Sequence, residues 1–243
     1  MVGSIRSRRT TQVRVQSMFN PLLYIWLLSV GKDFAMKVIK KKQTLKTSEP
    51  HHSIRERRIL ASIDFPFIVG YESHFQTRTE LCLVMEYVEG SDLYQLHRTE
   101  ECFDQEAVRF YLSEILLSLE YLHHLDLIYR DLKLENILID KTGHVKLVDL
   151  GFTRVLTEGE KCKTFCGTAD YQAPEILQGK KYNKAVDWWA FGIMAYEVSF
   201  SPKISFNLPS SFVLKSNFLL VASWLHPLHL LSRRPEFEGE GDL

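Results

Sequence analysis

The chain of 243 residues is 45% hydrophobic and 25% charged, which suits one large core or two smaller ones and excludes a chain disordered throughout. Thirty basic residues balance thirty acidic ones, so no global field recruits nucleic acid or an anionic membrane, and any charged partner is recognised locally. Of the four cysteines, Cys82, Cys102, Cys162 and Cys166, only the last two are closely spaced, as C-x-x-x-C, with no second pair to complete a zinc site; free thiols in a reducing compartment are predicted.

Residues 1–17 are basic, rich in Ser and Thr, and without apolar periodicity, which predicts a mobile arm with structure beginning near residue 20. The run 21–30 (PLLYIWLLSV) is about half the length of a membrane span. Arg6, Arg8, Arg9 and Arg14 precede it, giving the outline of a signal peptide, but it lacks a clear cleavage site and runs into charged sequence of cytosolic character. Short apolar runs at 34–39 (FAMKVI) and 80–87 (ELCLVMEY) predict strands, with a helix between them at 53–62 (SIRERRILAS). The strongest helix spans 104–124: Asp104 caps it, and Val108, Tyr111, Leu112, Ile115, Leu119 and Leu122 recur at steps of three and four. Two strand pieces follow at 137–139 and 145–148, about a turn at 140–143. Strands with one helix, then mainly helices, predict an α+β fold of two unequal lobes. No internal repeat is present, and from Ser199 the chain becomes apolar and serine-rich without a helical period, so no fold is predicted there.

The chemistry concentrates in the middle. Segment 128–136 (IYRDLKLEN) sets Asp131, Lys133 and Asn136 close together, and Asp149-Leu150-Gly151 follows. Alone, an Asp before Leu-Lys is a helix cap or a solvated loop charge; the joint spacing is the signal. Lys37 lies in an apolar strand where its charge needs a partner, and Glu56 in the predicted helix is the candidate, against the alternative of a surface lysine and a solvated glutamate. Segment 85–90 (MEYVEG) ends an apolar strand. Further on, KCKTFCGTADYQ precedes Ala173-Pro174-Glu175, and DWWAFG from Asp187 opens a strongly apolar helix.

YRDLKLEN, TFCGT, APE and DWWAFG together resemble the eukaryotic protein kinase catalytic domain of serine/threonine type, in the group that includes the cyclic-nucleotide-dependent kinases and protein kinase C (the AGC kinases), over roughly residues 31–198. The resemblance implies a small β-rich lobe, a larger mainly helical lobe, and transfer of the ATP γ-phosphate with Mg2+ to protein Ser or Thr. It implies Asp131 as the base, Lys133 steadying the transferred group, Asn136 and Asp149 on magnesium, and Lys37 paired with Glu56 to anchor the phosphates. Glu86 and Val88 would read adenine through backbone groups. Asp92 would lie near the ribose, although a helix N-cap explains it equally well. Thr164 would be phosphorylated by an upstream kinase, with Arg130, Arg154 and His52 as cationic partners. Thr168 would hydrogen-bond toward Asp131 and Lys133 and favour Ser or Thr as acceptor, and Asp187 would brace the catalytic loop unless it is a plain cap. Glu135 and Asp92 would meet arginines of a basic substrate, against the reading of ordinary surface acids. Protein substrates and a regulatory subunit are the partners implied, with no nucleic acid and no membrane span, in the cytoplasm or also the nucleus.

The sequence departs from this pattern. Tyr129 stands where many kinases have His, and Leu150 where Phe is usual; neither removes a ligand. No G-x-G-x-x-G precedes Lys37, the nearest glycine being Gly31, which should weaken nucleotide binding. Beyond residue 198 the later helices and the arginine expected to pair with Glu175 are missing, and 235–243 (PEFEGEGDL) reads as the resumption of the pattern after a foreign insertion, from retained non-coding sequence or a faulty gene model. The expected organisation is thus an arm without a glycine-rich loop (1–30), an incomplete small lobe and hinge (31–88), a truncated large lobe (89–198) and a divergent tail (199–243). An active kinase is the first reading; an inactive pseudokinase or truncated product acting only through binding is the alternative.

Overall fold

The computed structural model describes residues 33–44, 52–100, 103–157 and 159–199, with the backbone of 13–17 and 22–27. The elements in order are β1 (Val13–Ser17), β2 (Leu22–Leu27), β3 (Phe34–Lys40), α1 (Lys41–Thr44), α2 (His52–Leu60), β4 (Tyr71–Gln76) and β5 (Glu80–Glu86). Then come β6 (Gly90–Asp92), α3 (Leu93–Thr99), α4 (Gln105–His124), β7 (Leu127–Ile128), β8 (Ile137–Asp140), β9 (Val145–Leu147), β10 (Arg154–Val155), α5 (Pro174–Leu177) and α6 (Ala185–Ser199).

The small lobe is an antiparallel sheet of order β1-β2-β3-β5-β4 with α2 beside it. Its centre is the β3–β5 pair, in which Lys37 lies opposite Leu83 and Phe34 opposite Glu86. Both strands were legible because apolar side chains crowd them; β4 (YESHFQ) was not, since it lies at the sheet edge with mostly exposed residues. The expectation of a mobile arm through residue 17 is corrected: β1 pairs with β2, and β2 with β3, so order begins before residue 20. The V-R-V alternation of β1 has strand period but is too short to stand out among the surrounding basic residues. Much of the apolar run 21–30 is β2. The predicted tail lies almost wholly outside the described residues.

The large lobe is built on α4 and α6. Asp104 caps α4, its carboxylate accepting from Ala107 N at 2.7 Å, and Val108, Leu112, Ile115, Leu119 and Leu122 bury one face. One apolar cluster runs from Leu83 and Met85 of β5 through Ile68 and Leu147 to Leu119 of α4 and Met194 of α6, so the lobes share a core at their junction. A second cluster, including Ile128, Cys162, Ile176, Tyr182 and Val186, underlies the segment before α5. Residues 87–89 connect β5 to β6, which pairs with β8 of the sheet β6-β8-β9. No helix among the described residues is long and apolar enough to cross a membrane.

Candidate active site

Between the lobes, three elements bring charges together. Lys37 Nζ from β3 lies 2.7 Å from Glu56 Oε1 on α2 and 2.7 Å from Asp149 Oδ1, just after β9. Burial opposes the Lys37 ammonium, but the Glu56 and Asp149 carboxylates outweigh it and hold its pKa above the usual lysine value. Burial likewise pushes Glu56 upward against the pull of Lys37, whereas for Asp149 Lys37 outweighs burial and holds the carboxyl below its ordinary range. The Glu56 side chain is only 5% accessible and faces the Asp149 charge, whereas the Asp149 side chain is 41% accessible and its charge is also favoured by the Gly151 N–H and the Lys133 ammonium. Asp149 has φ 55°, a left-handed conformation uncommon for a residue with a Cβ, of the kind held at functional sites by surrounding contacts. Gly151 fits because a Cβ there would approach Asp149 Oδ1 at 3.1 Å and Lys37 Nζ at 3.5 Å.

The catalytic-loop candidate runs from β7 to β8. Lys133 Nζ reaches Asp131 Oδ2 at 3.2 Å and donates to Thr168 Oγ1 at 2.9 Å, while Thr168 Oγ1 donates to Asp131 Oδ1 at 2.9 Å. Asn136 Nδ2 donates to the Asp131 carbonyl at 2.8 Å and to its Oδ2 at 3.1 Å. Arg130, at φ 72°, would be strained on its own; Asp187 holds it, accepting from Arg130 N and Tyr129 N at 2.8 Å each while it also contacts His123 Nε2 at 2.8 Å. Asp187 is thus more than a helix cap: it ties α6 and α4 to the loop. Tyr129 is buried and donates to the Val148 carbonyl at 2.5 Å; burial drives its phenol well above the usual range, so it is a neutral structural donor.

The segment leading to α5 is held against this loop. Gly167 has φ 93°, and a Cβ there would sit 2.4 Å from the Arg130 carbonyl oxygen, so only glycine allows this approach. Gln172 Nε2 donates to the Cys166 carbonyl at 2.8 Å. Arg130 donates through Nε to the Phe152 carbonyl at 2.7 Å and through Nη1 to Tyr182 Oη at 3.2 Å; Tyr182 in turn donates to the Thr164 carbonyl at 2.6 Å. The main chain at Thr164 is therefore joined to Arg130 through Tyr182. Arg154 is exposed on β10 and makes no hydrogen bond or ion pair with Thr164 among the described residues. The His52 side chain lies outside the described residues.

The remaining candidates fall nearby. Glu86 ends β5 and Val88 is buried in the connector. Asp92 is the N-cap of α3, both its carboxylate oxygens accepting from Gln95, at 2.8 Å and 2.6 Å. Glu135 is exposed, whereas Glu175 is half-buried and has no ion-pair partner among the described residues. Sequence reasoning missed Tyr182, His123 and the hydrogen bond from Tyr171 Oη to Glu197. Burial raises the Glu197 carboxyl, and Glu135 and Asp170 add negative charge beside it. No local pattern marks these residues, since each partner lies far off in sequence.

The donor set suits a magnesium nucleotide. Asp149 and Asn136 offer hard oxygens, and no group of three His, Cys, Asp or Glu residues able to hold a metal exists among the described residues. Magnesium is characteristically held by one or two protein carboxylates together with phosphate and water.

This fold and this constellation define a protein kinase catalytic domain, and the chain belongs to that family: residues 26–213 match the protein kinase domain. Its relatives place it among the AGC kinases. It is 40% identical over 181 residues to the RAC-beta serine/threonine-protein kinase of Rattus norvegicus, covering 74% of this chain and 38% of that protein. It is 44% identical over 168 residues to cAMP-dependent protein kinase type 3 of Saccharomyces cerevisiae (69% and 42%), and 43% identical over 171 residues to the RAC serine/threonine-protein kinase of Drosophila melanogaster (70% and 28%). The chain spans well under half the length of these relatives.

Proposed function

We propose that the chain is an ATP- and Mg2+-dependent protein serine/threonine kinase. The observation that carries this is the convergence of Lys37, Glu56 and Asp149 at 2.7 Å contacts, beside Asp131 with Lys133 and Thr168. The magnesium nucleotide, when bound, supplies the phosphoryl group and neutralises charge on the phosphates. Asp131 then accepts the proton of the substrate hydroxyl, and Thr168 and Lys133 fix its carboxylate in one orientation. Lys133 opposes negative charge on the transferred group, Lys37 holds phosphate oxygens while Glu56 fixes its direction, and Asn136 and Asp149 are the metal ligands. Glu86 and Val88 offer connector backbone groups to adenine. Phosphate on Thr164, added by an upstream kinase, would pair with Arg130, a reading supported by the Tyr182 hydroxyl, which links Arg130 to the Thr164 main-chain carbonyl.

Substrates in a basic sequence context are favoured by the concentration of negative charge at Glu135, Asp170 and Glu197 around Tyr171. The test is transfer from ATP to serine peptides with and without arginine before the acceptor. Arginine peptides are expected to have the lower KM, and Glu197→Gln to raise it several-fold for those peptides alone; equal use of both sets by the wild-type chain contradicts the basic-context reading. A second reading, an inactive pseudokinase or truncated product acting only through binding, is favoured by the lack of any glycine between Gly3 and Gly31, the stretch that contains β1 and β2. Measurable transfer by the wild-type chain rejects it.

A further inference from the structure

Glu86 and Lys146 form an ion pair across the junction of the lobes. Glu86 Oε2 accepts from Lys146 Nζ at 3.0 Å and from Gly70 N at 3.1 Å, while Glu86 N donates to the Gly70 carbonyl at 2.8 Å. The end of β5 is thereby fixed by both backbone and side chain. Lys146 lies on β9, three residues before Asp149, and its side chain is only 15% accessible. Its neighbour Leu147 donates to the Phe67 carbonyl at 2.8 Å and accepts from Val69 N at 3.0 Å, so β9 is a rigid anchor. A second pair, Lys141 with Glu89, also bridges the connector and the large lobe, but at 3.4 Å with side chains 72% and 67% accessible; water and salt screen such a pair almost completely.

We propose that Lys146 and Glu86 are a latch between the lobes that holds connector 87–89 in place for the adenine ring, making Lys146 a positioning residue for nucleotide binding. The proposal rests on the kinase reading. Fixing the connector to the strand that leads into Asp149 sets the distance between base and phosphate sites before the nucleotide arrives, and this preorganisation lowers the ordering cost of binding. Magnesium and the phosphates need not touch Lys146 for the effect.

The test is direct binding of a fluorescent ADP analogue, which requires no phosphate transfer, to wild type, Lys146→Met, Glu86→Gln, the double variant and Lys141→Ala. Each latch variant should raise Kd roughly five-fold and the double variant no further, because the pair acts as a unit; Lys141→Ala should leave Kd unchanged. Hydrogen exchange at 87–89 should speed up in the latch variants alone. Additive losses, or an unchanged Kd, overturn the latch. Should the wild-type chain bind no nucleotide, the kinase reading fails, and exchange at the connector decides: a rate unchanged by Lys146→Met overturns the latch as well.

Discussion

Asp187 illustrates how one side chain stabilises a strained backbone. It is 1% exposed and satisfies the backbone N–H groups of Tyr129 and of the left-handed Arg130 itself, together with His123. Removing the carboxylate leaves those donors buried and unpaired, so Asp187→Ala should cost about 3 kcal/mol, visible as a lower midpoint in chemical denaturation. A loss below half that would show that water replaces the carboxylate and that the brace is dispensable. The same residue marks what sequence can convey. The motif around Asp131 announced itself, because chemistry fixes residue types at short spacing. Tyr182, by contrast, sits in KYNKAVD, which reads as an ordinary loop; its role arises from long-range contacts with Arg130 and Thr164.

Among the elements, α4 was legible almost to the residue, since its cap and its apolar spacing both mark its start, while β1 and β4 were lost because short or solvent-facing strands carry little hydrophobic signal. One contact between elements has a pH signature. Glu114 of α4 accepts from Val145 N at 2.8 Å and pairs with His144 Nδ1 at 2.6 Å, joining the helix to the β8–β9 turn. The hydrogen bond from His144 to Glu114, and then their charge attraction, raise the His144 pKa above 6.5. Because the folded value is raised, the protonated histidine stabilises the fold fully below the unfolded value, and this contribution disappears as pH rises through the folded value. His144→Gln should therefore lower Tm relative to wild type near pH 6 and match it by about pH 9; a Tm difference constant across that range would contradict the pairing.

At the scale of the whole molecule, the two lobes meet through a shared apolar core and through charges contributed by both. The α+β, two-lobed architecture was legible from the order of strands and helices. The residues that meet between the lobes were legible as motifs, but the direct Lys37–Asp149 contact was not, because the two are 112 positions apart and only folding brings them together. We propose that this interface transfers phosphate with Asp131 as base. The measurement that tests it most directly is transfer of radiolabelled γ-phosphate from ATP with magnesium to an arginine-containing serine peptide, comparing wild type with Asp131→Ala. Clear transfer by the wild type and a loss of about 100-fold or more in the variant are expected; equal, background-level incorporation by the two would rule out transfer with Asp131 as base.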